Sequence, residues 1–189
     1  MKPPRQVRII GGQWKRTPLA VVDAEGLRPT PDRVRETLFN WLDHLLGRDW
    51  HQQRCLDLFA GSGALGFEAA SRGAARVLMV EASPVACKAL QATRDKLAAV
   101  QIEIRRADAL SLLRSLPGPF ELIFLDPPYG LELLPAVLPA CPRLLAHGGL
   151  IYAESDQPFA AASEPWMAGW QPVREGKAGA VHFALLAAV

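Results

Sequence analysis

The chain has 189 residues, 50% hydrophobic and 21% charged, which is typical of one globular domain. Its N-terminal charges are not followed by an apolar run, and no uncharged stretch reaches the roughly 18 residues of a membrane span, so we expect neither a signal peptide nor a membrane helix. Residues 1–35 carry eight Lys or Arg and three acids, a local charge of +5, whereas the rest carries 13 bases and 16 acids. A basic arm on a slightly acidic body favours a polyanionic partner, although a solvated tail would give the same count.

The cysteines and histidines are scattered and show no metal-ligand spacing. This pattern predicts reduced, mostly buried thiols, no metal site and a cytoplasmic protein. Separately, we expect a monomer. The residues concerned are Cys55, Cys87, Cys141, His44, His51, His147 and His182.

The N-terminal third predicts a hairpin and then a helix. "RQVRIIGGQWKRTPLAVV" places two short β-like runs around Gly11-Gly12. "GLRPTPDRVRETLFNWLDHLL" then has helical periodicity, with apolar residues at Val34, Leu38, Trp41, Leu42 and Leu45. We therefore divide the chain into a basic hairpin extension, residues 1–30, and a main domain, residues 31–189.

From there the pattern alternates between short apolar runs and helical stretches. The runs are "RCLDLF", "RVLMVE", "IEIRR", "FELIFLD" and "GGLIYAE". Such alternation predicts an α/β fold with a parallel sheet and helices on both faces. The tail "WQPVREGKAGAVHFALLAA" indicates two strands around a glycine-rich turn, so the sheet should end in an antiparallel pair.

A glycine loop follows the first of these strands. In "LDLFAGSGALGFEAA", Gly61, Gly63 and Gly66 form GxGxxG between a strand and a helix, which lets a nucleotide-like ligand approach the backbone. Glu81 ends the next strand, where a carboxylate can accept both hydroxyls of a ribose. On these residues alone, NAD and S-adenosylmethionine (SAM) both fit.

Two acids favour SAM. Asp57 lies four residues before Gly61, where a carboxylate would repel the pyrophosphate of a dinucleotide but attract the cationic amino group and sulfonium of SAM. Asp108 follows the third strand and is placed to accept a hydrogen bond from an adenine amino group. It could also cap the following helix, and one carboxylate can do both.

The stretch "LIFLDPPYGLE" ends a buried-strand pattern in Asp126, Pro127, Pro128 and Tyr129. The prolines fix the backbone while their carbonyls stay able to accept hydrogen bonds. Asp126 and the Pro127 carbonyl could therefore take both hydrogens of an exocyclic amine, and Tyr129 could stack on its planar base. This arrangement suits methylation of an amine by positioning and electrostatics.

"DPPY" downstream of "DLFAGSGALG" resembles the Asp/Asn-Pro-Pro-Tyr class of amino-methyltransferases. "RIIGGQWKR" with "RPTPDRVRETLFNWL" resembles, over nearly the whole chain, the bacterial 16S rRNA guanine-N2 methyltransferases, family D of the small-subunit enzymes. The resemblance implies a Rossmann-like, seven-stranded SAM-dependent fold with an N-terminal β-hairpin. It also implies a guanine substrate in the 16S rRNA of the small ribosomal subunit or its assembly intermediate.

By this resemblance, two groups of residues receive roles. The target pocket is Asp126, Pro127, Pro128 and Tyr129. The SAM site is Asp57, Phe59, Gly61, Gly63, Glu81, Ala82, Asp108, Ala109 and Asp126. The RNA-binding set is predicted instead from the basic charge of the N-terminal arm and its Trp14, which could hold phosphates and stack on a base; it is Arg5, Arg8, Trp14, Lys15, Arg16, Arg28 and Arg33.

Three other functions compete with this interpretation. An adenine-N6 methyltransferase acting on DNA or RNA also uses the tetrapeptide, but the DNA enzymes resemble larger chains with a target-recognition domain. An NAD-dependent oxidoreductase would explain the glycine loop and Glu81, but it leaves Asp57 and "DPPY" without a role. A non-catalytic RNA-binding module would need only the basic arm.

Overall fold

The fold is a mixed α/β sheet preceded by a short hairpin, in a computed structural model that describes residues 7–21, 31–128, 133–159 and 164–189. In the hairpin, β1 (Val7–Arg8) pairs antiparallel with β2 (Pro18–Leu19). The main domain begins with α1 (Asp32–Leu45) and β3 (Arg54–Asp57). The predicted hairpin around Gly11-Gly12 is thus confirmed.

Helices and strands then alternate as the sequence predicts. In chain order they are α2 (Ala64–Arg72), β4 (Arg76–Glu81), α3 (Pro84–Lys96), β5 (Ile102–Arg106), α4 (Ala109–Leu113), β6 (Phe120–Leu125), α5 (Leu134–Val137), β7 (Leu145–Ser155), β8 (Trp170–Ala178) and β9 (Val181–Ala188). Two 3-10 turns, Leu138–Arg143 and Pro165–Met167, precede β7 and β8. Prolines at 135, 139 and 142 explain why the last helical stretch is only one short helix and a 3-10 turn, because proline removes N–H donors.

The seven strands of the main sheet lie in the order β5-β4-β3-β6-β7-β9-β8. The first five are parallel to one another, and β9 runs antiparallel to both β7 and β8. The mostly parallel seven-stranded sheet with an antiparallel C-terminal pair is therefore confirmed. None of the helices in the described ranges has the length and apolarity needed to cross a bilayer.

Each face of the sheet has its own apolar core. Alternate residues of β3 illustrate the division, since Cys55 packs with α1 and α2 on one face and Leu56 packs with α4 and α5 on the other. All three cysteines are buried and free. The pattern on α1 is less regular than predicted, because Leu45 is 40% exposed whereas Arg35 is fully buried.

Buried charges join the hairpin to the main domain. Glu68 of α2 is fully buried and accepts hydrogen bonds from the backbone N–H of Ile10 at 2.6 Å and of Gly11 at 2.8 Å. The Arg72 Nε donates to the same carboxylate at 2.9 Å. Arg35 of α1 donates to the Arg8 carbonyl at 2.9 Å. These bonds replace the water that a buried charge would otherwise require.

Ser71 adds a second set of contacts at the end of α2. Its hydroxyl donates to the Gly11 carbonyl at 2.6 Å and accepts from the Trp14 N–H at 2.9 Å. Its own carbonyl accepts from the Gln13 N–H at 2.8 Å. Gly12 has a φ of +72°, and a Cβ at this position would collide with the Ser71 backbone. The hairpin is thus part of the folded body, and we expect its removal to destabilise the domain that follows.

Replacing Glu68 tests this attachment. We expect Glu68→Gln to lower the free energy of unfolding by about 1.5–3 kcal/mol, the usual value of hydrogen bonds to a charged group. The amide NH2 group that replaces one carboxylate oxygen would face other donors, either the N–H groups of Ile10 and Gly11 or the Arg72 guanidinium, and could not accept hydrogen bonds from them. Urea denaturation measures the change, with Glu36→Gln on the exposed side of α1 as the matched control. A loss below about 0.5 kcal/mol for Glu68→Gln would contradict the attachment.

Candidate functional site

Four acids lie at the carboxyl edge of the parallel strands. Asp57 and Glu81 are the last residues of β3 and β4, and Asp126 directly follows β6. Asp108 comes two residues after β5. From β3 the chain continues to β4 on one side of β3, and β6 pairs with β3 on its other side. The strand order therefore reverses between β3 and β6, and open α/β sheets bind ligands at such a topological switch point.

The glycine loop lies over the end of β4 and is held by Glu81. The Ala60 N–H donates to the Val80 carbonyl at 2.9 Å, and the Gly61 N–H donates to Glu81 Oε2 at 2.8 Å. Gly61 and Gly63 have φ values of +53° and +76°, in the left-handed region that favours glycine. A Cβ on Gly63 would come within 2.6 Å of a neighbouring apolar side chain. The sequence therefore requires glycine here for backbone reasons, besides any ligand.

Glu81 uses both of its oxygens in the structure. Besides Gly61 on Oε2, its Oε1 accepts from the Ser83 N–H at 2.7 Å. The side chain is partly buried at the strand end. A carboxylate has about four acceptor positions, so it can accept ribose hydroxyls in addition. The predicted ribose role stays a prediction, and the structure adds a second role in shaping the loop.

Asp57 is the buried acid of the site. It is 1% exposed, and its Oδ2 accepts from the Gly66 N–H at 3.0 Å. The pKa of Asp57 is raised to about 7, mainly by burial and to a smaller extent by the negative charge of Glu81, against the lowering effect of hydrogen bonds from Gly66 and Phe59. A cationic ligand group beside this carboxylate would favour its charged form. Asp57 is thus suited to an ammonium or sulfonium group.

The remaining predicted cofactor residues flank this edge. Asp108 caps α4 by accepting from the Ser111 N–H at 2.9 Å, and these hydrogen bonds lower its pKa. The helix-capping role is therefore present, and the adenine role stays a prediction. Ala82 is exposed after β4, Ala109 is buried in the first turn of α4, and Phe59 is half-buried.

The Asp126–Pro128 segment leaves β6 beside the loop. In the sheet register Asp57 lies opposite Phe124, and the Leu58 N–H donates to the Phe124 carbonyl at 3.2 Å. Asp126 and Pro127 are partly buried and Pro128 is exposed, whereas Tyr129 lies outside the described residues. The structure thus brings Asp126 to the same switch point as Asp57.

The predicted RNA-binding residues are only partly described. Lys15, Arg16 and Arg33 are exposed, and Arg8 is exposed while forming an ion pair with Asp32 at 3.4 Å. Trp14 is half-buried and packs against the core rather than standing in solvent. Arg5 and Arg28 lie outside the described residues. The RNA-binding assignment stays a prediction.

Sequence reasoning did not single out Glu154. It is a buried acid, 4% exposed, and the second-last residue of β7. The sequence pattern that could have identified it is an acid at the end of "GGLIYAE", just as Asp126 ends "FELIFLD". The Tyr152 hydroxyl donates to its Oε1 at 2.7 Å. Across the described ranges, no group of three or more His, Cys, Asp or Glu could hold a metal ion.

Comparison with known proteins identifies similar chains. Residues 7–187 match the sequence model of a family described as "Conserved hypothetical protein 95". The chain is 41% identical over 182 residues to the ribosomal RNA small subunit methyltransferase D of Escherichia coli strain K12, covering 95% of this chain and 89% of that one. The solved structure of yhhF from Escherichia coli has a TM-score of 0.82 and 38% identity, covering 96% of this chain and 97% of that chain.

A more distant structure shares the fold. It is a T. thermophilus 16S rRNA N2 G1207 methyltransferase in complex with AdoMet and guanosine. The TM-score is 0.73 at 22% identity, over 97% of this chain and 49% of that chain. At this identity the likeness shows the Rossmann-like methyltransferase fold alone.

The raised pKa of Asp57 gives a pH dependence that can be measured without ligand. Because the folded pKa of about 7 exceeds the ordinary value of 3.8, the native state holds a proton that the unfolded state has lost between these values. Stability from this group therefore falls as pH rises from about 4 to about 7. We expect Asp57→Asn to remove this decline, so that the variant gains stability relative to the wild type as pH rises.

Thermal unfolding of both ligand-free proteins between about pH 5 and pH 8 measures this difference. Glu103 and Glu121 have lowered pKa values, so their contributions are lost at lower pH and do not overlap this window. Parallel melting temperatures for wild type and Asp57→Asn across the range would contradict the buried, proton-holding state of Asp57.

Proposed function

The chain belongs to the ribosomal RNA small subunit methyltransferase D family, and from this premise we propose that it uses SAM to methylate the exocyclic N2 amine of one guanine in 16S rRNA. The observation that carries the proposal is the meeting of two sites at one sheet edge. Asp57 and the glycine loop end β3, and Asp126-Pro127 follows β6 directly beside it. The proposed cofactor site and the proposed amine site would thus be neighbours.

The residues at the edge suit SAM as cofactor. Asp57 offers a buried carboxylate to the cationic part of the molecule, and Glu81 and Asp108 offer acceptors to its ribose and adenine. Gly66 lets the first turn of α2 pack closely on β3 and β4 beside this site, since a Cβ there would lie 2.5 Å from the Met79 side chain and 3.1 Å from Asp57 Oδ2. SAM, when bound, supplies an electrophilic methyl group and carries no phosphate that Asp57 would repel.

The amine site explains how a weak nucleophile could be used. The lone pair of an exocyclic amine is delocalised into its ring, so the nitrogen attacks poorly. Asp126 and the Pro127 carbonyl would accept the two amine hydrogens and orient the lone pair out of the ring plane. Pro127 and Pro128 hold these acceptors in place because proline fixes the backbone. Positioning of this kind supplies much of the rate in group transfer.

The atom that we propose to be methylated is the N2 amine of the guanine at position 966 of 16S rRNA, in the small subunit or its assembly intermediate. Support comes from the family and from the resemblance of "RIIGGQWKR" and "RPTPDRVRETLFNWL" to guanine-N2 enzymes. The same substrate places the proposed activity in the cytoplasm. Adenine-N6 methylation remains the alternative outcome that a mapping experiment distinguishes.

The experiment is methyl transfer from tritiated SAM to small subunits that lack the modification, followed by mapping of the labelled nucleotide. The proposal predicts one labelled guanine whose methyl group is on N2. Naked 16S rRNA and duplex DNA serve as competing substrates. Label on adenine N6, or on DNA in preference to small subunits, would contradict the proposal.

Asp126 provides a variant that separates chemistry from cofactor binding. We expect Asp126→Ala to reduce methyl transfer by at least about 100-fold, because the amine loses a charged acceptor in the transition state. SAM affinity should stay within a few-fold, and Asp126→Asn should be milder because an amide oxygen still accepts one hydrogen bond. Calorimetry and the tritium assay measure the two effects. An equal loss of SAM binding would show that Asp126 serves the cofactor instead.

The exposed arm charges are proposed to hold rRNA phosphates. We expect the double variant Lys15→Gln and Arg16→Asn to reduce the salt dependence of RNA binding by about 1.5–2 units of log–log slope, roughly one unit per lost phosphate contact. Asparagine is chosen because Arg16 has a φ of +72°, which asparagine tolerates. Affinity measured between about 50 and 200 mM salt gives the slope.

The matched control for the arm removes the same charge elsewhere. Arg114 follows α4, on the sheet face opposite α1 and α2, and Lys177 lies on β8; both are exposed. Arg114→Gln with Lys177→Gln should leave the slope near the wild-type value. Equal slopes in both double variants would mean that only the overall charge matters and would remove the arm from RNA recognition.

A further inference from the structure

Glu154 lies on the strand next to the amine site. β6 and β7 are parallel, with Phe124 opposite Tyr152 and Leu125 opposite Ala153. One residue further along, Asp126 follows on one chain segment and Glu154 on the other. Neighbouring strands are about 4.8 Å apart, so the two acids occupy adjacent positions at the carboxyl edge. Glu154 lies within β7 and continues the alternate position of Tyr152, which packs in the core on the α1 face.

The carboxylate of Glu154 is held in an unusual environment for an acid. It is buried at 4% exposure, beside the equally buried Tyr152, whose hydroxyl donates to its Oε1 at 2.7 Å. Across β9 it lies opposite Phe183, whose ring stacks on Trp41 at 5.4 Å. A buried carboxylate is costly unless it is hydrogen-bonded, and the Tyr152 hydroxyl supplies one such bond and orients the carboxylate.

Guanine has two neighbouring donors on its Watson–Crick edge, N1–H and the N2 amine. Adenine has a bare N1 acceptor beside its amine, and 2-aminopurine likewise carries an amine at C2 beside a bare N1. A carboxylate next to the amine site would accept a hydrogen bond from guanine N1–H. It would repel the N1 lone pair of adenine or of 2-aminopurine. A site built around such a hydrogen bond rejects the analogue that lacks the donor.

We propose that Glu154, oriented by Tyr152, accepts the N1–H of the target base and makes the site specific for guanine. This assignment rests on the proposed function, because it presupposes that Asp126 and Pro127 hold the N2 amine. Glu154 is thus a specificity-determining residue, whereas Asp126 acts on the reacting amine itself. The proposed role of Glu154 requires the negative charge of its carboxylate as well as the acceptor oxygen.

The test compares guanine with 2-aminopurine at the methylated position. Small subunits are reconstituted with 16S rRNA that carries one or the other base at the site that tritium mapping identifies. For the wild type we expect efficient transfer to guanine and little to 2-aminopurine. Glu154→Gln should lose roughly 10- to 100-fold on guanine, the factor for one hydrogen bond to a charged group. Its amide N–H can donate to the bare N1, so transfer to 2-aminopurine should rise relative to guanine.

The ratio of methyl transfer to guanine and to 2-aminopurine decides whether Glu154 has this role. A fall in the guanine to 2-aminopurine ratio, with SAM affinity unchanged, supports the assignment. An unchanged ratio overturns it, whether activity falls or not, because a merely structural role would affect both bases equally. Glu36→Gln, on the exposed side of α1, is the control and should keep the wild-type ratio.

Folding and the proposed function are checked separately. If Glu154→Gln unfolds, Tyr152→Phe carries the test, since it removes only the hydroxyl that orients Glu154, and the ratio must fall there too. If the wild type transfers no methyl group to a guanine of 16S rRNA, the proposed function itself fails. If it does so while Glu154→Gln keeps the wild-type ratio, only the role of Glu154 is refuted.

Discussion

The attachment of the glycine loop to two strand-end carboxylates determines the rest of the site. Asp57 accepts from Gly66 and Glu81 accepts from Gly61, so both ends of the loop are bonded to acids of the sheet. These bonds fix the path of the backbone and place the start of α2 against β3 and β4. The arrangement has an energetic consequence, because Asp57 is buried and its pKa is raised to about 7. A ligand that brings positive charge to this edge would relieve that cost.

Helix α2 links the loop to the N-terminal arm. It begins one residue after Gly63, and its far end carries Glu68, Ser71 and Arg72. Glu68 and Ser71 bind the arm. Arg72 donates to Glu68, and it also donates to Asp43 at 2.7 Å while lying 5.0 Å from the Phe39 ring. One nine-residue helix therefore contacts the proposed cofactor loop at one end and the proposed RNA arm at the other. The two proposed functions would therefore share one helix.

The sequence predicted what depends on local pattern. Alternating apolar runs identified the strands, and the acids at their ends followed because parallel strands share one carboxyl edge. The burial of Glu68 and Arg35 was not predictable, because it depends on hydrogen bonds with backbone groups that lie 57 and 58 residues from Glu68 and 27 residues from Arg35 along the chain. Helical periodicity considers apolar positions only, so it assigned Leu45 rather than Arg35 to the buried face of α1. Glu154 was overlooked because its neighbour across the sheet is known only from the register of β6 and β7.

Calorimetric titration of SAM into the wild type and Glu81→Gln tests the central claim most directly. The claim is that a strand-end carboxylate, while holding the glycine loop, also receives the ribose of SAM. We predict that the wild type binds one SAM per chain and that Glu81→Gln weakens binding roughly 10- to 100-fold, the range for a hydrogen bond to a charged group. Equal affinity in the two proteins, or binding of NAD in place of SAM, would contradict the account.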